Sequence, residues 1–198
     1  FQGSAVIASD RELRVIHNLR LLNADGSLYA GASSAGYTHG STELNLPLVM
    51  RNNGGYNTWF SIQNAGAGET DVTVEFFRGS HGNDYTAPDV TLKPGGAAVF
   101  DQAVMTELGS RFVGAVKVTS SDEPVVATLV QVGRTDMMAY DGFGMETELV
   151  AGITGEPTFV GPLFHYYNAN YRSGVQVQNV GDQATTVTLE FVPEAAPN

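Results

Sequence analysis

One internal echo constrains this chain more than any other feature of its 198 residues. The stretch from Pro47 to Phe76 aligns without a gap on Pro162 to Phe191, at a constant offset of 115, with 12 identities in 30 positions. Pro47/Pro162, Asn53/Asn168, Tyr56/Tyr171, Asn64/Asn179, Gly66/Gly181 and Phe76/Phe191 are among them. A weaker match sets Ala8 to Val15 against Ser120 to Ala127 at offset 112. Self-similarity at a fixed period is the mark of a tandem array. The chain is therefore expected to hold the end of one repeat, one complete repeat and the start of the next.

Within each copy the period is that of strands. Thr58 to Gln63 and its copy Ser173 to Gln178 alternate apolar and polar residues, which points Phe60/Val175 and Ile62/Val177 inward. Val72, Val74 and Phe76, matched by Val187, Leu189 and Phe191, repeat the pattern, with Thr73 and Glu75 facing water. Asn64 to Gly68 between them predicts a hairpin turn whose Asn and Gly tolerate positive φ. Lys93-Pro94-Gly95-Gly96 predicts a second hairpin, between Pro88–Leu92 and Ala97–Phe100. The β-branched runs Val113 to Thr119 and Val125 to Val132 predict a third, and Gln102 to Leu108 one helical turn. Six or seven short strands with regular turns read as an all-β chain, an antiparallel immunoglobulin-like β-sandwich in tandem, with about one complete and one partial module.

Composition narrows the function classes. With 42% apolar and 16% charged residues the chain is neither a disordered tail nor a membrane-inserted protein, and no apolar run reaches the ~18–20 residues of a spanning helix. A net charge of −11 with only 10 Lys plus Arg argues against nucleic acid as a partner. The absence of cysteine excludes disulfides and thiolate metal sites. Phe1 to Ser4 look like the remnant of a purification tag and are set aside. The remaining divisions are 5–43 as the end of a preceding repeat, 44–145 as the complete module, 146–161 as a linker and 162–198 as the opening strands of a second module. The N-terminal hairpin and the C-terminal strands are candidates to complete a second sandwich together, within a chain or between chains.

Two turns carry a family likeness. Ile62-Gln63-Asn64-Ala65-Gly66 and Leu92-Lys93-Pro94-Gly95, in that order, make Leu44 to Gly142 resemble the CARDB-type immunoglobulin-like modules of bacterial surface proteins. The resemblance implies an extracellular, repeated, non-catalytic module of a larger adhesive or structural protein.

Candidate chemistry is sparse. No nucleophile elbow, phosphate loop, dinucleotide fingerprint, paired-histidine motif or glycosylation sequon around Asn57 is present, and no metal or cofactor is implied. His39 and His81 sit in polar loops, while His17 falls on the inward set Leu13, Val15 and Leu19 and predicts a partly buried histidine. Asn23-Ala24-Asp25-Gly26-Ser27 resembles the opening of a calcium loop but lacks its later glutamate, and reads better as an Asp-Gly hairpin turn. The ligand or contact candidates are aromatic: Trp59, Tyr166, Tyr167 and Tyr171. Trp59 faces outward, and its counterpart is Gly174; it either caps an apolar patch under the loop Gly79 to Tyr85 or marks a contact surface. Tyr166 and Tyr167, beside Phe164, Asn168 and Asn170, could stack on a sugar ring, whereas Tyr56 and Tyr171 match between copies and read as plugs at the sandwich end. Three functions follow in order: a structural or adhesive module whose partners are other repeats, itself through open sheet edges, or a glycan or cell-surface protein; a carbohydrate-binding module; and an enzyme with a cleft gathering His165, Asp141 and Glu146.

Overall fold

The alternation is realised as strands throughout the central part of the chain. A computed structural model describes residues 3–11, 13–144, 150–151, 157–158, 166–168 and 171–191. Its strands are β1 (Ile16–Leu22), β2 (Leu28–Ala35), β3 (Glu43–Arg51), β4 (Asn57–Asn64), β5 (Thr70–His81), β6 (Tyr85–Leu92), β7 (Ala97–Asp101), β8 (Phe112–Ser120), β9 (Val125–Val132), β10 (Met137–Asp141) and β11 (Phe143–Gly144). The short pairs β12 (Val150–Ala151) with β13 (Pro157–Thr158), and β14 (Tyr166–Asn168) with β15 (Tyr171–Arg172), follow. Two antiparallel sheets, ordered β10-β9-β4-β7 and β11-β3-β8-β5-β6, face each other as a β-sandwich. The helical turn forms as one 3-10 turn, Thr106–Leu108. Among the described residues no helix is long and apolar enough to cross a membrane.

Phe60, Ile62 and Leu129 of one sheet meet Leu46, Val72, Val74, Phe76 and Val116 of the other, all essentially sealed from solvent. Phe60 stacks on Phe100 at 5.2 Å and Phe76 meets Phe112 edge-on at 6.2 Å, the offset geometries that aromatic quadrupoles favour. β3 carries a bulge after Leu46. There the buried Tyr140 hydroxyl accepts from the Leu48 N–H (3.1 Å) and donates to the Leu48 C=O (2.8 Å).

The three predicted hairpins are not hairpins. β4 and β5, β6 and β7, and β8 and β9 lie in opposite sheets, so each turn carries the chain across the core. A turn residue reverses the chain without dictating whether the flanking strands pair side by side or face to face, and alternation is the same in both cases. Within residues 13–144 the consecutive strands that pair as hairpins are β1–β2, β5–β6 and β9–β10. The turn glycines also act differently than predicted. Gly95 and Gly26 do adopt positive φ, at 71° and 83°, but neither Gly66 nor Gly68 does. Their role is room: a Cβ on Gly66 would collide with Glu123 Oε2. The Glu123 carboxylate accepts the Ala67 and Gly68 N–H groups at 3.1 and 2.9 Å, and so ties the third crossing to the first. Asn64 ties the first to the second. Fully buried, it donates through Nδ2 to the Gly68 and Leu92 carbonyls and accepts the Gly66 N–H through Oδ1.

The second copy differs. Residues 173–191 form no strand, and Val175, Val177, Val187, Leu189 and Phe191, predicted to face inward, are each about half exposed. Among the described residues no strand pairs with this stretch; it touches the sandwich through Gln178, whose Nε2 donates to Asn45 Oδ1 at 3.2 Å and to the Val116 carbonyl at 3.4 Å. The Asn-x-Gly turn nevertheless reproduces: Asn179 Nδ2 donates to the Gln183 carbonyl at 2.8 Å and Oδ1 accepts the Gly181 N–H at 3.1 Å.

Candidate contact surfaces

Trp59 faces outward as its strand phase requires, since Phe60 points into the core, but it is covered by a different element from the one predicted. It pairs with Val130 across β4–β9, and Met137 pairs with Val132 across β10–β9, which builds an apolar stripe on the outer face of the four-stranded sheet. Leu19, Ala30 and Ala32 of the β1–β2 hairpin pack on that stripe and leave Trp59 half-buried. The segment Gly79–Tyr85 belongs to the other sheet and does not reach it. The tether between hairpin and sandwich is fixed too. The Tyr37 hydroxyl donates to the Ala127 carbonyl beside Thr128 Oγ1, and Ser41 pairs with Val125 through N–H···O bonds of 3.0 and 2.9 Å. Burial of its hydroxyl raises the Tyr37 phenol well above its ordinary range.

Of the other aromatic candidates, Tyr166, Tyr167 and Tyr171 lie on β14 and β15, where Tyr166 opposes Arg172 and Asn168 opposes Tyr171. Phe164, His165, Asn170 and Glu146 lie outside the described residues. Asp141, the third member of the candidate cleft, accepts a hydrogen bond from Thr128 Oγ1 at 3.2 Å. Tyr56 reaches the β9–β10 turn, where its hydroxyl donates to Asp136 Oδ2 at 3.0 Å; that bond and the neighbouring negative charge raise its pKa.

His17 is exposed, against the prediction of a partly buried ring. It shares the hairpin face of Leu19, but the packed stripe ends before it, leaving its ring beside Ser34 Oγ at 3.5 Å. His39 and His81 are exposed beside Thr38 and Ser80. Asp25 lies in a hairpin turn closed by Asn23 N–H to Ser27 C=O at 2.9 Å. Its carboxylate accepts both the Ser27 hydroxyl and the Ser27 N–H, which hold its pKa below the usual range. Among the described residues no group of three His, Asp or Glu side chains converges as metal ligands would.

The sandwich ends have opposite character. At the crossover end, Glu69, Thr70, Asp71, Thr91, Ser121 and Asp122 line a shallow recess of about 90 Å³. At the other end the β3–β4 loop is bordered by Arg51, Arg111 and Arg134. Arg51 Nη1 donates to the Gly109 carbonyl while its Nε is buried without a partner. Arg111 donates to Asn53, and Arg134 lies against Gly55. None of the three has a carboxylate within ion-pairing distance among the described residues, where the bridges are Arg11–Asp10, Arg78–Asp84 and Lys117–Glu43. The loop is tight, with Gly54 and Gly55 at φ 62° and 94° between the paired Asn53 and Tyr56, and Asn52 at φ 48° before them. Sequence reasoning passed over this loop because its signal, a Gly-Gly pair between polar residues, reads as turn chemistry alone.

No family model matches this chain, and no curated protein does. Among solved structures, a crystal structure of Thermotoga maritima 1070 is 17% identical, with a TM-score of 0.44 over 54% of this chain and 97% of that one.

Proposed function

We propose that this chain is a non-catalytic structural or adhesive module of a repeated, secreted or surface-held bacterial protein, an immunoglobulin-like unit flanked by parts of its neighbours. The observation that supports this reading is the docking of the β1–β2 hairpin on the outer face of the four-stranded sheet. That hairpin precedes the complete repeat in sequence, so the segment leading into the unit is fastened to it by apolar packing as well as by the chain. A unit fastened in this way transmits position and load to its neighbours, which is what a spacer or display module requires. The CARDB-like turn order and the low fraction of charged residues, 16%, agree with it. Its partners are then adjacent repeats or a cell-surface protein, with self-association through open sheet edges such as β7. The same hairpin covers Trp59, which removes that ring as a free platform for a sugar.

Trp59 is the only tryptophan, so its emission reports on this joint alone. An Ala30→Glu variant places a charge under the hairpin and shifts the emission to the red while the sandwich stays folded. A panel of glycans leaves the emission of the unaltered chain unchanged. A sugar that shifts it saturably, or any small molecule that the chain turns over, overturns the reading.

A further inference from the structure

Arg111 grips Asn53 by its side-chain oxygen. Its Nε and Nη2 both donate to Asn53 Oδ1, at 3.1 and 2.6 Å, two charge-assisted bonds on one acceptor. The amide nitrogen faces Met50 Sδ at 3.1 Å, a weak acceptor. Residue 54 is glycine, and Asn53-Gly54 is the sole Asn-Gly step in the sequence. Gly54 has no side chain to crowd its nitrogen, is exposed, and its N–H has no acceptor among the described residues.

We propose that Asn53 is a self-modification site, converted through attack by the Gly54 nitrogen into an aspartate that Arg111 then holds as an ion pair. In the first step the Gly54 nitrogen bonds to Asn53 Cγ and the Cγ–Nδ2 bond breaks. The amide leaves as ammonia, carrying the proton from the Gly54 N–H, and a five-membered succinimide remains. In the second step water adds to Cγ and the new N–Cγ bond breaks, which restores the Gly54 N–H and leaves a carboxylate on residue 53. Addition of water at the backbone carbonyl instead gives isoaspartate. Nothing is oxidised or reduced, and water is the co-reactant.

Arg111 acts on both steps. Its two donors stabilise negative charge developing on Oδ1, which makes Cγ the more electrophilic carbon for the nitrogen and then for water. The product ratio therefore favours aspartate. The attack requires the Asn53 backbone to rotate, which opens the two N–H···O bonds between Asn53 and Tyr56. Gly54 and Gly55 between them are exposed, and only these two backbone bonds close the turn across the pair, so the opening required is local. In the second copy Asn168 is retained but Ala169 follows it, so the reaction belongs to the first copy alone.

This inference goes beyond the structural-module reading and does not depend on it. The test is to age the full chain in mildly alkaline buffer and follow intact mass and peptide maps. The expected result is a gain of about 1 Da confined to Asn53, with aspartate exceeding isoaspartate. Gly54→Ala slows the reaction by about tenfold or more, because a Cβ crowds the attacking nitrogen. Arg111→Gln slows it several-fold and reverses the product ratio, which a merely structural arginine would not do; should that variant fail to fold, Arg111→Lys, keeping the charge without the fork, gives an intermediate ratio. Asn53→Asp melts above the unaltered chain, and the gain vanishes in the Asn53→Asp/Arg111→Gln double variant. An aged chain of unchanged mass, conversion at other asparagines instead, a product ratio indifferent to Arg111, or an Asn53→Asp variant that melts no higher each overturns the proposal.

Discussion

The two copies of the repeat share a local turn and differ in almost everything the turn is meant to support. Around Asn64 and around Asn179 the same side chain bonds the N–H two residues on and the carbonyl four residues on. Yet Phe60, Ile62, Val72, Val74 and Phe76 are sealed in the core, while Val175, Val177, Val187, Leu189 and Phe191 are about half exposed. The asparagine turn is a local motif, encoded within five residues and stable wherever they occur. The strands are a collective property: alternation offers one apolar face, and only an opposite sheet makes that face buried. The duplicated sequence thus repeats the local turn in both copies, whereas burial of the alternating face accompanies the sheets of the first copy.

The largest test of that contrast is a pair of core truncations. Phe60→Ala should cost about 3–5 kcal/mol in denaturant unfolding, because it empties the centre of a close-packed core. Val175→Ala, its counterpart, should change stability by under about 0.5 kcal/mol, as surface substitutions do. Equal losses would mean that the second copy is packed against something in solution, and would break the comparison.

The turn itself gives the next pair. Asn64→Ala removes the buried side-chain bonds to the Leu92 carbonyl and the Gly66 N–H and should cost about 1–3 kcal/mol. Asn179→Ala, in an exposed turn with no second strand to tie, should cost a few tenths of that. Gly66→Ala and Gly181→Ala separate space from conformation. A Cβ at residue 66 displaces the Glu123 carboxylate from its two N–H donors, for about 1–2 kcal/mol. A Cβ at residue 181 meets only Asn179 Oδ1 at 3.5 Å, ordinary contact, and should be neutral. Neither glycine of the pair has positive φ, so an equal penalty at both sites would show that backbone freedom, not the Glu123 contact, is what the glycine supplies.

These pairs also mark how far the sequence could be read. Strand phase was legible, because side-chain direction follows a period of two: β4 alternates buried and half-buried residues along its whole length. So were Asp25-Gly26 and Pro94-Gly95, whose positive φ is set by two residues. β3 escaped notice because Pro47 interrupts the Leu44-Asn45-Leu46 alternation and the apolar run Leu48-Val49-Met50 after it shows none. The sheet to which each strand belongs escaped for a deeper reason. Asn64 bonds the Leu92 carbonyl, 28 residues away, and Glu123 bonds the Ala67 N–H, 56 residues away, contacts that no local pattern encodes. Trp59 is the same case: its outward direction was in its strand, its cover in a hairpin ending at Ala35.

The smallest effect concerns the repeated Pro-Leu pair that opens each copy. In the first copy Pro47 and Leu48 form the β3 bulge, where both backbone polar groups of Leu48 depend on the Tyr140 hydroxyl. Pro162 and Leu163 lie outside the described residues. Tyr140→Phe keeps the ring and removes the hydroxyl, and should cost about 1 kcal/mol near neutral pH. Burial holds the Tyr140 phenol above its ordinary value near 10. The folded state therefore keeps this proton at pH values where the unfolded chain has lost it, so the contribution is whole below about pH 10 and declines as pH rises beyond it. Tyr37 titrates in the same direction, for the same reason. Unfolding free energies measured from neutral to strongly alkaline pH should fall less steeply in Tyr140→Phe than in the unaltered chain, and less steeply still when Tyr37→Phe is added. Parallel curves would show the hydroxyl at Leu48 to be hydrated in solution, and the bulge of the first copy to be no better anchored than an exposed strand.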